Sequence, residues 1–149
     1  MSDFLSLREI LVDTSLKWEK AFGVAPHITS ALSEYDAALL IGMTESEYSH
    51  VMQGCSAVQK GFDFRFKDIR YQVKATRPSG KPGSKVTKVP NPRNYDWDIL
   101  IWMSYDSKYV LKEAWAWSIA DYQKHFEEST RLSPVALRQG RQLFLNCTI

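Results

Sequence analysis

Apolar residues recur near helical spacing at Phe4, Leu7, Leu11, Trp18 and Phe22, which predicts an amphipathic helix over residues 3–22 that Gly23 ends. Beyond Pro26, a stripe of Leu32, Tyr35, Leu39 and Gly42, flanked by Ala31 and Ala38, predicts a second helix over about 29–42. Thr44-Glu45-Ser46-Glu47 has the form of a capping box. Gly54 and its polar neighbours weaken a long helix there, so residues 44–60 read as a short helix or an irregular segment. From Gly61 the period changes to two. Phe62, Phe64 and Phe66 alternate with Asp63 and Arg65, and Ile69, Tyr71 and Val73 alternate with Arg70, Gln72 and Lys74. That is a pair of strands joined at Lys67-Asp68. Prolines 78, 82, 90 and 92 with Gly80 and Gly83 make residues 77–94 a loop. The run Trp97-Asp98-Ile99-Leu100-Ile101-Trp102-Met103 suits a buried central strand, and another strand follows from about Tyr109 to Trp117. Ser118 with Asp121 opens a helix to about Ser129, and Ser133-Pro134 opens a short last one. Helix, helix, four strands, helix, helix is the order of one α+β domain over residues 1–149.

The hairpin fixes a testable register. A two- or four-residue loop centred between Lys67 and Asp68 sets Phe66 opposite Ile69, Arg65 opposite Arg70, Phe64 opposite Tyr71, Asp63 opposite Gln72 and Phe62 opposite Val73. One face is then wholly apolar, from Phe62 to Val73, and the other collects Asp63, Arg65, Arg70, Gln72 and Lys74. A three-residue loop would turn Asp63 to the wrong face.

Composition narrows the class. With 44% hydrophobic and 24% charged residues the chain has the make-up of a globular protein, not a disordered one. No apolar run approaches the roughly 20 residues of a membrane span. The first ten residues lack a basic segment followed by an apolar one, and Cys55 and Cys147 form no metal or redox spacing, so a reduced, cytoplasmic protein is expected. The net charge of +2 hides a division. Residues 1–50 carry three basic and eight acidic side chains, residues 51–93 ten and two, and residues 94–149 six and seven. A strongly basic middle segment suits a polyanionic partner.

On the polar face, Arg65 opposite Arg70 is a like-charge pair that needs solvent or an anion between its members. The hard oxygens of Asp63 and Gln72, with the Val73 carbonyl between, suit Mg²⁺. Lys74, further along the same face, is placed to orient a water and to offset charge developing on phosphorus. The alternative is a solvated hairpin face with no chemistry.

Gly61-Phe62-Asp63 followed by Tyr71-Gln72-Val73-Lys74-Ala75-Thr76 resembles the PD-(D/E)xK, or restriction-endonuclease-like, nuclease superfamily, in the Gln-x-Lys form of Mrr-type nucleases. The resemblance covers residues 29–129 and implies a mixed four-stranded core sheet flanked by helices. It implies a Mg²⁺-dependent deoxyribonuclease, with Mn²⁺ as a substitute, acting in restriction, defence or phage DNA processing. Asp63 would be the principal metal ligand, Gln72 the second ligand and Lys74 the catalytic lysine. Glu34, in Ser33-Glu34-Tyr35-Asp36, would match the acid that the family carries on the preceding helix. Asp36 competes with it, but residues two apart on a helix do not share a face. Gln72 is the departure, because a neutral amide holds Mg²⁺ less firmly than a carboxylate.

The segment from Gln72 to Tyr95 has no acidic residue, and Arg77, Lys81, Lys85, Lys88 and Arg93, with Asn91 and Asn94, suit phosphate and groove contacts beside Arg65 and Arg70. A merely solvated loop is the alternative. Trp115 and Trp117 fit core packing better than base stacking, and His27, His50 and His125 have no metal-ligand spacing. The expected function is DNA hydrolysis, with a homodimer or a separate recognition partner fitting so short a chain. The competing expectation is a non-catalytic nucleic-acid-binding module that keeps the fold.

Overall fold

The structure, a computed structural model, describes residues 3–54, 61–89, 91–92, 94–129 and 132–146; Cys55, Pro90, Arg93 and Cys147 lie outside the described residues. Three helices come first: α1 (Asp3–Phe22), α2 (Thr29–Leu40) and α3 (Glu45–Gln53). Gly23 ends α1 at φ 84°, its N–H donating to the Glu19 carbonyl at 2.8 Å. That left-handed position costs glycine nothing. The capping box forms as the motif predicts. Thr44 Oγ1 accepts from the Glu47 N–H and Glu47 Oε1 from the Thr44 N–H, both at 3.1 Å, so the ambiguous segment is helical over α3.

Strands β1 (Phe64–Phe66) and β2 (Ile69–Thr76) are joined by Lys67 and Asp68, with φ of 50° and 64°. Two successive positive φ values make the two-residue turn whose twist matches a hairpin. It sets Phe66 opposite Ile69, Arg65 opposite Arg70 and Phe64 opposite Tyr71, the register expected. Below Phe64 that register fails. The Asp63 N–H donates to the Tyr71 carbonyl at 2.8 Å, one residue out of step, so Asp63 does not pair with Gln72. Phe62 correspondingly packs with the opposite core, under the Arg65 guanidinium at 5.6 Å, instead of sharing a face with Phe64.

The remaining elements are β3 (Ile99–Tyr105), β4 (Leu111–Ser118), α4 (Ile119–Phe126), α5 (Pro134–Leu137) and β5 (Arg141–Leu145). The sheet has five strands in the order β1-β2-β3-β4-β5, not four, with β2 parallel to β3 and every other pair antiparallel. This is an α+β architecture on a mixed sheet. β5 adds an edge strand from a five-residue segment whose apolar residues, Leu143, Phe144 and Leu145, are consecutive and show no period. The strand expected from Tyr109 starts at Leu111, because Tyr109 itself turns at φ 64°.

One face of the sheet carries Phe64, Tyr71, Val73, Ile101 and Met103 against Leu32, Ala37 and Ala38 of α2. The small alanines let α2 lie close on β2. The other face stacks Leu100, Trp102 and Trp117 against Tyr122 and Phe126 of α4 and Leu137 of α5. Residues 77–98 join the two parallel strands, and the described residues among them form no helix. This crossover returns over the second face, where Val89 is buried and bridges to Leu132, and the Asn91 amide joins Tyr122 Oη and the Ser129 carbonyl. Among the described residues, no helix is long and apolar enough to cross a membrane.

Candidate active site

The break in hairpin register has a chemical consequence. Because β1 begins only at Phe64, the Val73 N–H on β2 has no strand partner on that side, and Asp63 Oδ2 accepts from it at 2.6 Å. Residues in a ladder exchange bonds through N–H and C=O on one side of the strand. The Val73 carbonyl therefore faces the same edge as the Asp63 carboxylate.

Glu34 reaches Asp63 from α2, and the two carboxyl groups share a hydrogen bond. Burial, then the neighbouring Asp63 charge and that bond, push the Glu34 carboxyl from 4.5 up to about 7, while Lys74 pulls it down. Burial also raises Asp63, against the Val73 N–H, the Lys74 charge and the bond from Glu34. The Val73 N–H favours the ionised form of Asp63. Like-charged carboxylates in one half-buried place cannot both ionise cheaply.

The two acids of α2 go separate ways. Asp36 receives Arg8 Nε and Nη2, both at 2.7 Å, and the Tyr105 hydroxyl at 2.6 Å. It ties α1 to β3, and Glu34 alone serves the cluster. Gln72 and Lys74 alternate away from Tyr71 and Val73, level with Leu100 and Trp102 of β3. Gln72 is only 7% exposed, and Lys74 lies near enough to lower both acids. Glu34, Asp63 and Lys74 thus form one electrostatic cluster at the edge of β2, with Gln72 and Val73 on the same stretch of strand. Among the described residues, no group of three or more His, Cys, Asp or Glu gathers.

The basic candidates divide. Arg70 is held by Asp98, with Nη2 at 3.0 Å, Nε at 3.2 Å and the backbone N–H at 2.8 Å from its carboxylate. This ion pair answers the Arg65–Arg70 repulsion without an external anion. Arg77 is an internal tie, with its side chain only 7% exposed. It donates to Glu19 at 2.9 and 3.1 Å and to the Ser107 carbonyl, and its guanidinium stacks 4.2 Å above Tyr109. Asn91 is taken by α4, and the Asn94 amide donates to the Gly61 carbonyl at 3.2 Å. Arg65, Lys81, Lys85 and Lys88 are exposed. Arg93 lies outside the described residues. Nothing local in the sequence pairs Glu19 with Arg77 or Asp98 with Arg70, because the partners lie 58 and 28 residues apart. Trp117 is buried in the second core, and the His125 ring packs 5.1 Å from it.

The chain matches no protein-family model, and it matches no curated protein in sequence.

Proposed function

We propose that the chain is a metal-dependent deoxyribonuclease built on a restriction-endonuclease-like core. The observation that carries this reading is the Glu34–Asp63 carboxyl pair, seated where β1 stops short along β2, with Lys74 beside it. A cation seated between the two acids would offset the burial that raises them both and the Asp63 charge that raises Glu34.

The donor set fits Mg²⁺ or Mn²⁺. Asp63 and Glu34 offer carboxylate oxygens, and the Gln72 amide and Val73 carbonyl offer neutral ones, all of the hard type these ions prefer. A bound cation would supply Lewis-acid polarisation of the scissile phosphate. The chain's own groups would do the rest. The Val73 N–H fixes the Asp63 carboxylate in one orientation. Glu34 gives up its proton when the cluster gains positive charge. Lys74 orients the attacking water and offsets negative charge developing at phosphorus. The exposed Lys81, Lys85 and Lys88 supply backbone attraction to DNA, which needs no base contact.

Supercoiled plasmid incubated with the protein and Mg²⁺ or Mn²⁺, beside a Lys74→Ala control, tests the reading. Wild type should nick or linearise the plasmid only with the cation, and the control should be slower by on the order of 100-fold or more. Plasmid left equally intact by both proteins, while both still bind it, would end the enzyme claim. That outcome would favour a non-catalytic DNA-binding module, for which the neutral Gln72 is the supporting observation.

A further inference from the structure

Helix α1 is attached to the body by an unusual side. Arg8 reaches Asp36, Ser15 Oγ bonds the Tyr109 hydroxyl at 2.8 Å, and Glu19 receives Arg77, with Val12 and Leu16 packed between them. A quarter-turn round the same helix, Leu7, Leu11, Trp18 and Phe22 form a second apolar stripe, 59%, 38%, 51% and 69% exposed. Isolated exposed leucines need no explanation, but a continuous stripe rich in aromatics marks a contact surface.

The stripe has two unlike ends. At one, the Trp18 and Phe22 rings pack against each other at 4.8 Å between centroids and stand out as a wedge. At the other, Leu7 and Leu11 wall an apolar groove of about 370 Å³ whose far side is Leu32, Tyr35, Tyr48 and Met52. The helical rise sets wedge and groove roughly 20 Å apart. The spacing is also palindromic. Steps of four, seven and four residues separate Leu7, Leu11, Trp18 and Phe22, so these four positions, leaving aside Phe4 at the start of the helix, read the same in both directions.

We infer that α1 is the interface of a two-fold dimer of this chain, with the helices antiparallel. Leu7 of each copy faces Phe22 of the other, and Leu11 faces Trp18, so each wedge enters the opposite groove. A self-complementary patch of this kind is what a two-fold axis requires. The exposed parts of the four stripe residues amount to roughly 450 Å² per copy, about 900 Å² for the pair before the groove rim is counted. That area lies below the roughly 1,200–2,000 Å² of stable complexes and among weak, transient ones, so the dimer is a reversible, concentration-dependent one. The inference stands apart from the proposed nuclease activity.

Light scattering on a size-exclusion column, run over a concentration series, tests it. The wild-type chain should approach twice the monomer mass as concentration rises. Leu7→Glu and Phe22→Lys should each hold it at the monomer mass with an unchanged far-ultraviolet circular dichroism spectrum, since both side chains are exposed. Because each new charge faces the other across the axis, combining the two should restore the dimer. A wild-type chain that stays monomeric to the highest concentration overturns the inference. So does a dimer that survives both single substitutions, or a double variant that stays monomeric. The last two outcomes would point to a different surface or to a partner of another kind.

Discussion

Two carboxylates on α2, two residues apart and opposite in fate, show how this molecule handles charge. Asp36 is met by a guanidinium on two nitrogens and by a tyrosine hydroxyl, so every strong demand of the anion is answered from within. Burial and that same anion hold the Tyr105 hydroxyl far above its usual range. Glu34, two residues earlier, is met by another carboxyl group, and its proton stays on to about 7. Asp36 has the matched partners of a structural charge, and Glu34 has the under-compensated setting of a group kept for something else. Arg70 and Arg77 extend the lesson on the basic side. Both were candidates for DNA contact, yet each is matched internally, whereas Lys81, Lys85 and Lys88 are left to solvent.

The largest expected effects come from exchanging the two fates. Asp63→Asn, which keeps an acceptor for the Val73 N–H, should abolish most plasmid cleavage, by on the order of 100-fold or more, while changing the denaturation midpoint little. Asp36→Ala should do the reverse, because it strands Arg8 and the Tyr105 hydroxyl and costs about 3 kcal/mol. Urea melts and cleavage rates on both variants check the pair, and a cleavage loss in Asp36→Ala as deep as in Asp63→Asn would erase the distinction.

A middle-sized effect concerns pH. Between 4.5 and about 7 the native chain binds a proton on Glu34 that the unfolded chain has released, so this group makes stability fall as pH rises through that window. Glu34→Gln should flatten the fall. By the same proton competition, the wild type should bind Mg²⁺ more tightly as pH rises towards 7 and level off beyond it. Calorimetric titration with Mg²⁺ at several pH values measures this, and an affinity independent of pH would remove Glu34 from the cation site.

The smallest effect belongs to the loop. Replacing Lys81, Lys85 and Lys88 together by Ala should weaken DNA binding evenly across sequences and lower the salt slope by up to about three contacts' worth. Arg77→Ala should instead lower stability, through the loss of its bonds to Glu19 and Ser107. Filter binding at several salt concentrations separates these, and an unchanged slope in the triple variant would show that the lysines do not touch phosphate.

What could be read in advance follows from how far each determinant reaches along the chain. The hairpin register is local. Two residues with positive φ set it, and alternation did the rest as far as Phe64. The slip at Asp63 is not local, because it arises where β1 runs out against a longer β2, and no residue type announces it. Phe62 was therefore assigned to the wrong core. The capping box on α3 was visible because its two partners are three residues apart. The ion pairs of Arg70 and Arg77 were hidden because their acids lie far away in sequence, so both arginines looked available. Glu34 and Asp36 could be separated only as alternatives, by helical geometry. Which of them turned to the cluster depended on Arg8 and Tyr105, and nothing nearby in the sequence points to either.

The long crossover of residues 77–98 bears on how the molecule comes together in time. The β3–β4 hairpin closes over a few residues and can form early, whereas β2 must wait for a loop of some twenty residues to bring it alongside β3. Asp63 meets the Val73 N–H within the local β1–β2 hairpin, whereas Glu34 joins them only when α2 docks on the sheet. The cluster is complete only once that helix is seated, and a partly unfolded molecule carries the acids without the arrangement.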